Sequence, residues 1–215
     1  TDYNDGFVLP MAIDRTMYIA LRPRKDKKVR VYSIDFDVWG EFELDKLQKE
    51  KGWLEYLKGM AWALQGEGYT LQGWEGVLTG DVPRGSGLSS SAALEMATAR
   101  AFFEVSSFPW NPAKMALLGQ KTENQWVGAN TGIMDQMISA SGQKGFALLI
   151  DCRSLDTEAV PLPSGTVAVI MDTMTRDPHA DSGYNERRAQ WEEAAKFFGG
   201  KALRDVTLEQ FNAKA

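Results

Sequence analysis

One stretch limits what this chain can fold into more than any other: Pro83-Arg84-Gly85-Ser86-Gly87-Leu88-Ser89-Ser90-Ser91-Ala92-Ala93-Leu94. It follows the apolar run Trp74 to Leu78, which reads as a strand. It leads into Ala92 to Glu104, rich in Ala, Leu, Met and Phe with no internal Gly or Pro, which reads as a helix. A strand that turns through glycines into a helix start presents free backbone N–H groups and the positive end of the helix dipole. Glycine lets the backbone come close to an anion and take a positive φ. The serine hydroxyls add donors and a hard oxygen for magnesium. Gly85, Ser86, Gly87, Leu88, Ser89, Ser90 and Ser91 are therefore the candidates for holding nucleotide phosphates. The loop is not a Walker motif, which needs Lys before Ser or Thr, and Gly85-x-Gly87 lacks the third glycine of a dinucleotide fingerprint. Gly-Ser-Gly alone would read as a plain turn with a serine N-cap. Three serines entering an Ala-rich helix decide for phosphate.

The rest of the chain is ordinary in composition, and that excludes several classes. With 44% hydrophobic and 25% charged residues it has the means to bury a core. Its 215 residues allow one or two domains. A net charge of -5 argues against a nucleic-acid partner. No apolar run is long enough to span a membrane. Cys152 is the only cysteine, so no intrachain disulfide can form, and a reducing, cytoplasmic setting is expected. Strands are expected at Phe7 to Ile13, Thr16 to Leu21, Val29 to Ser33, Trp74 to Leu78, Phe146 to Ile150 and Val167 to Met171. Trp53, Leu57, Met60 and Leu64 recur at helix spacing and predict a helix over Trp53 to Gln65, with these side chains in the core. Asn111-Pro112 reads as an N-cap with Pro at the first helical position, after which Met115, Gly119, Thr122 and Trp126 share a face. Further helices are expected at Gly132 to Ala140 and at Tyr184 to Phe198, the latter stopped by Gly199-Gly200. Runs of strand followed by runs of helix give an α+β class, with Pro161-Leu162-Pro163 as the best candidate joint.

Several of these stretches together resemble a family. Pro83 to Leu94 is similar to the second signature of the GHMP kinases. Thr1-Asp2-Tyr3-Asn4-Asp5-Gly6-Phe7-Val8-Leu9-Pro10 is similar to the end of the galactokinase sugar signature, and Gly132-Ile133-Met134-Asp135-Gln136 resembles the catalytic motif. Ala147 to Leu155, Tyr184 to Arg188 and Ala202 to Thr207 also look like galactokinase segments. The resemblance covers essentially the whole chain. It implies a two-domain GHMP architecture, with a ribosomal protein S5 domain 2-like N-terminal domain over 1–163 and the beginning of the C-terminal domain over 164–215.

It also implies the chemistry: ATP- and Mg2+-dependent phosphorylation of the 1-hydroxyl of galactose. Asp135 would be the catalytic base. Its place at a helix start is expected to favour the ionised form. Ser91 and Glu123 would be magnesium ligands. Gly85 to Ser91 would hold the ATP phosphates. Thr1, Asp2, Gly132, Asp135 and Tyr184 would meet the sugar, Asp2 through its two acceptor oxygens and Tyr184 through its hydroxyl. Lone His179 and Cys152 match no role. An N-acetylgalactosamine or arabinose kinase, or a non-catalytic galactose and ATP sensor, would share much of this pattern. No protein partner is implied. Thr131 stands where the family often has Cys, and Asp177-Pro178-His179 is an unusual loop. The Arg, Glu and His that the family places before its Thr-Asp, and a downstream Gly-rich motif, are not in this sequence. The chain therefore reads as a fragment, expected to be inactive or weak by itself.

Overall fold

The computed structural model of this chain describes residues 1–172, 174 and 180–214, with backbone only at 180–184. The loop Asp177-Pro178-His179 lies outside the described residues, as does the side chain of Tyr184. In chain order the elements are β1 (Phe7–Val8), β2 (Met17–Pro23), β3 (Lys28–Ser33), β4 (Val38–Glu43), α1 (Leu54–Gly66), β5 (Trp74–Gly80), α2 (Ser90–Ser106), α3 (Pro112–Lys121), α4 (Met134–Ser141), β6 (Phe146–Asp151), β7 (Thr157–Pro161), α5 (Ala180–Phe197) and α6 (Leu208–Lys214). The expected α+β class is what the chain forms.

Two sheets frame the helices. The larger has the order β2-β5-β3-β4. Its β3 and β5 run parallel, with Val31 opposite Gly76, while the other pairs are antiparallel. A parallel pair needs a crossover, and β4 followed by α1 supplies it. Val29 and Val31 alternate inward on β3 and are fully buried, as are Leu57, Met60 and Leu64 on α1 and Trp74 and Phe102 on the strand and helix that flank the Gly/Ser loop. Trp74 and Phe102 meet edge to face at 6.0 Å. Each such side chain contributes about 1.5–3 kcal/mol by leaving water, so the loop between β5 and α2 is anchored at both ends by core residues.

The smaller sheet is antiparallel, ordered β1-β6-β7, with Phe7 opposite Asp151 and Val8 opposite Ile150. A second core lies against it, formed by Ala116, Ile133, Met137, Ile138, Leu148, Ile150 and Cys152. Asn111 caps α3 by accepting the Lys114 amide at 2.9 Å, with Pro112 in the first turn as expected. At its far end α3 widens into a π turn over Thr122–Val127, which keeps Thr122 and Trp126 buried. Gly59 of α1 makes room for it: a Cβ there would lie 2.5 Å from Thr122 Cγ2. After α5, Gly199 takes φ 78°, its amide donates to Lys196 O, and Gly200 donates to Ala195 O. This is the Schellman stop anticipated from Gly199-Gly200.

Two strand expectations change. Phe7 to Ile13 pairs as a strand only at Phe7–Val8, with one further bridge from Met11 to Ala147, because Pro10 between them has no amide to give the ladder. Val167 to Met171 forms no strand; Val167 and Met171 are 84% and 85% exposed. Its β-branched residues satisfy propensity, but no described strand offers it a partner ladder. In the other direction, β4 and β7 were not anticipated. β4 is broken in pattern by Gly40 and exposed Trp39, and β7 is short and mostly exposed. Among the described residues no helix is long and apolar enough to cross a membrane.

Candidate active site

The loop after β5 is built on left-handed backbone. Gly85 has φ 64°, Gly87 φ 76° and Ser89 φ 60°. Gly tolerates this conformation freely; for Ser89 it stores strain of the kind found at functional sites. Ser89 is the N-cap residue of α2, yet its side chain makes no capping bond. The first amides of α2 have no acceptor within the helix. Ser89 lines the same cleft as Asp135 of α4. Ser86 is used inside the loop, donating to Pro83 O at 2.8 Å.

Opposite the loop sits Asp2, in a 3-10 turn at Asp2–Asn4. Its carboxylate accepts the Tyr3 amide at 3.0 Å and, across the cleft floor, the Met134 amide at 3.1 Å, so it occupies the N-terminus of α4. Gly132 leaves the room for this: a Cβ at 132 would overlap both Asp2 carboxylate oxygens. The need for glycine here is a seat for Asp2, a reason the sequence alone does not supply.

Asp135 follows one residue after Met134. The helix start was expected to keep it ionised, but the structure reverses the balance. Burial comes first and pushes its pKa up, the negative Asp2 and Glu123 push the same way, and only the Ser89 hydroxyl opposes them. The α4 terminus is already spent on Asp2. A carboxylate raised toward working pH is a better proton acceptor than an ordinary exposed Asp.

Glu123 is 5% exposed and comes from the π turn, whose wide loop lets both the Gly128 and Ala129 amides donate to Glu123 O, at 2.7 and 2.9 Å. Its Oε2 accepts from Thr131 Oγ1 at 2.6 Å and from Gln136 Nε2 at 2.9 Å. Thr131, an apparent departure from the family pattern, thus has work to do.

These pieces line one cleft of about 390 Å3, shared by Thr1, Asp2, Tyr3, Gly85, Gly87, Leu88, Ser89, Ser90, Ser91, Glu123, Gly132 and Asp135. That size is within the range of small-molecule sites. Of the residues singled out from sequence, Ser86 does not line it, and the Tyr184 side chain lies outside the described residues. Asp2, Glu123 and Asp135 bring carboxylates to the cleft, and no Lys or Arg is among its described lining residues. That balance suits a divalent cation. Glu123 and Ser91 offer a carboxylate and a hydroxyl, the donors magnesium takes when phosphates and water complete its shell. No cluster of three His, Cys, Asp or Glu able to hold a metal alone occurs among the described residues.

A neighbouring cleft of about 200 Å3 shares Ser90 and Ser91 and is walled by Phe36, Trp53, Tyr56, Leu78, Val82 and Arg84. Phe36 and Trp53 stack at 6.0 Å with planes 15° apart, and the Arg84 guanidinium lies 4.4 Å from the Phe36 ring centre. Ser33, 1% exposed, also lines it with a hydroxyl that has no hydrogen-bond partner. Helix spacing assigns Trp53 to the core; the structure leaves it half-buried in this wall. Phe36 lies in a turn, where periodicity carries no signal.

Comparison with known proteins agrees with this geometry. The model described as the GHMP kinases N terminal domain matches residues 55–143, and the galactokinase galactose-binding signature matches residues 1–23. A Lactococcus lactis galactokinase solved in complex with galactose is 33% identical, with a TM-score of 0.86 over 100% of this chain and 58% of that one. A Methanococcus jannaschii mevalonate kinase is 17% identical with a TM-score of 0.61, covering 74% of this chain and 51% of its own. A Streptococcus pneumoniae phosphomevalonate kinase, in complex with phosphomevalonate and AMPPNP, is 16% identical with a TM-score of 0.54, covering 69% of this chain and 45% of its own. The last two share the fold alone. The chain spans 58% of the length of the Lactococcus enzyme. The Gly/Ser loop, Glu123, Gly132 and Asp135 fall within the first match and Thr1 and Asp2 within the second, so the residues that line the cleft belong to a GHMP kinase N-terminal domain, at 55–143, and its adjoining signature.

Proposed function

We propose that this chain carries the phosphate loop and sugar-facing carboxylates of a galactokinase, which transfers the γ-phosphoryl group of ATP to the 1-hydroxyl of galactose. One observation carries the reading: Ser89, Ser90 and Ser91 of the loop line the same cleft as the carboxylates of Asp2 and Asp135, so the proposed nucleotide and sugar walls meet at the proposed proton acceptor. Amides of Gly85 to Ser91 hold the phosphates. The stacked aromatics of the adjoining cleft take the base, a planar group that such faces bind well. Asp2, Gly132 and Thr1 face the sugar, with Tyr184 assigned there by resemblance. The 1-oxygen bonds to the γ-phosphorus, its proton passes to Asp135, and the bond from γ-phosphorus to the β-bridging oxygen breaks to release ADP. Positioning and charge do most of the work in such a transfer. Magnesium, when bound by Glu123 and Ser91, supplies positive charge to the phosphates.

Support for the sugar comes from the galactose-binding signature and from the Lactococcus galactokinase, itself solved with galactose. The GHMP frame supports ATP, as does the AMPPNP bound to the phosphomevalonate kinase. We place the end of the N-terminal unit after Pro163, since β7 closes at Pro161 and 164–172 carry no helix or strand. Galactose metabolism in the cytoplasm is the setting this implies. The test is phosphorylation by the full-length protein, followed as ADP release and by 31P NMR of the sugar product. Preference for N-acetylgalactosamine or arabinose would reassign the substrate. Binding of galactose and Mg-ATP without turnover would make it a sensor.

A further inference from the structure

We propose that Glu95 and Gln136 form a positioning pair that aims the carboxylate of Glu123 at the divalent cation of a metal–nucleotide substrate. The proposal rests on the kinase reading above, in which Glu123 is a metal ligand. Both side chains are fully buried, Glu95 on α2 one turn after Ser91 and Gln136 on α4 next to Asp135. Gln136 Nε2 donates to Glu95 Oε2 at 3.1 Å and to Glu123 Oε2 at 2.9 Å. With Thr131 also on Glu123 Oε2, one oxygen of Glu123 takes both donors. The other, Oε1, carries no hydrogen bond among the described residues and belongs to a side chain that lines the cleft.

The amide of a glutamine turns easily about its last torsion, so on its own Gln136 could present oxygen instead of nitrogen to Glu123. An acceptor on the far side removes that freedom, because the NH2 group must then lie between two carboxyls. Glu95 is that acceptor. Its burial has no other explanation in the structure: no cation pairs with it, and a buried carboxyl without a role is costly. Burial first, then the charges of Glu123 and Asp135, hold it well above the usual carboxylate range. Its Oε1 and the Oε1 of Gln136 are both without a hydrogen-bond partner among the described residues. The seat is also carved from the opposite helix. At Gly119 of α3 a Cβ would lie 2.9 Å from Gln136 Cγ and 3.1 Å from Glu95 Oε2.

The experiment measures Mn2+ binding to the full chain at saturating ADP, by the electron paramagnetic resonance of free Mn2+, and ADP binding in EDTA by calorimetry. Glu95→Leu is expected to weaken Mn2+ binding roughly 10- to 100-fold, the usual loss when a partner of a metal ligand is removed, and to leave metal-free ADP binding unchanged. Glu95→Gln keeps an acceptor oxygen and is expected to restore Mn2+ binding. Wild-type Mn2+ affinity in Glu95→Leu overturns the proposal, and so does an equal loss of metal-free ADP binding, which a merely structural role would give. If Glu95→Leu does not fold, Gln136→Met takes its place, and unchanged Mn2+ affinity there overturns the proposal equally. A wild-type protein that binds no Mn2+ with ADP overturns the kinase reading itself, and this proposal with it.

Discussion

The two walls of the cleft are made in different ways. The proposed phosphate wall is one contiguous stretch, Gly85 to Ser91, shaped by its own backbone: positive φ at three positions and an N-cap serine that makes no capping bond at the helix start. The proposed sugar wall is assembled from residues 132 apart in sequence, by a side chain of one turn reaching the amide of a distant helix. The first kind of wall depends on conformation; the second depends on packing being right to a fraction of an ångström. The two should therefore fail differently when altered.

The largest effect is expected where the walls meet. Asp135→Asn should lower turnover by roughly 10²- to 10⁴-fold, the usual contribution of a general base, with Mg-ATP affinity retained; a variant that keeps its rate would remove Asp135 from the chemistry. Next, Gly132→Ala pushes on the Asp2 carboxylate, since the new methyl and that group cannot coexist. Galactose affinity should fall by roughly 10- to 100-fold, the range for a misplaced positioning group, while calorimetry shows unchanged nucleotide binding. Equal loss of both ligands would mean that the walls are not separate. Gly87→Ala is the converse. Its Cβ would meet nothing within 4 Å, so the cost is the backbone's alone, about 1–2 kcal/mol. Nucleotide binding should weaken roughly 5- to 30-fold by that cost, and sugar binding should not change.

The smallest effects are in stability and have opposite signs with pH. Asp135 has a folded-state pKa above its unfolded value. The folded state then holds the extra proton, so stability falls as pH rises through the window between the two values. Asp135→Asn should consequently melt no lower than wild type at neutral pH. Asp151 is the opposite case, held below the usual carboxylate range by a two-pronged pairing with Arg204. Its contribution is present above the unfolded Asp value and is lost as pH falls through the folded one. Asp151→Asn should slightly lower the melting temperature at neutral pH and flatten its decline in acid. A melting series in both variants from acid to neutral pH would show whether the site, unlike the scaffold, is held at a cost.

What could be read from the sequence follows the same division. The turn from β5 into α2 is legible because its signal is local: glycines, serines and the helix after them lie in one window. Asp135 and Glu123 are singled out by resemblance alone, and the structure places both at one cleft. Glu95 and Gln136 were not legible, because a Glu on a helix ordinarily reads as a solvated charge and nothing nearby in sequence says that three helices enclose it. Trp53 has the spacing of a core residue and packs against the core, but at the N-cap of α1 it is only partly buried and also walls a cleft. Val167 to Met171 shows the limit of propensity: a run can favour extended backbone and still need a neighbouring edge to become a strand.

The π turn at Thr122–Val127 makes the segment a gauge of chain length. An α-helix advances about 100° per residue, so shortening this turn by one residue would let it relax to ordinary winding and swing whatever follows by about that angle. Glu123 would lose the doubled amide contact that fixes its carbonyl, and Thr131 and Gln136 would no longer converge on its carboxylate. Surface loops elsewhere absorb an added or missing residue with little consequence. Here, deletion of Gln125 should leave circular dichroism near that of wild type and abolish Mn2+ binding with ADP, a loss of function written in residue count and not in residue type.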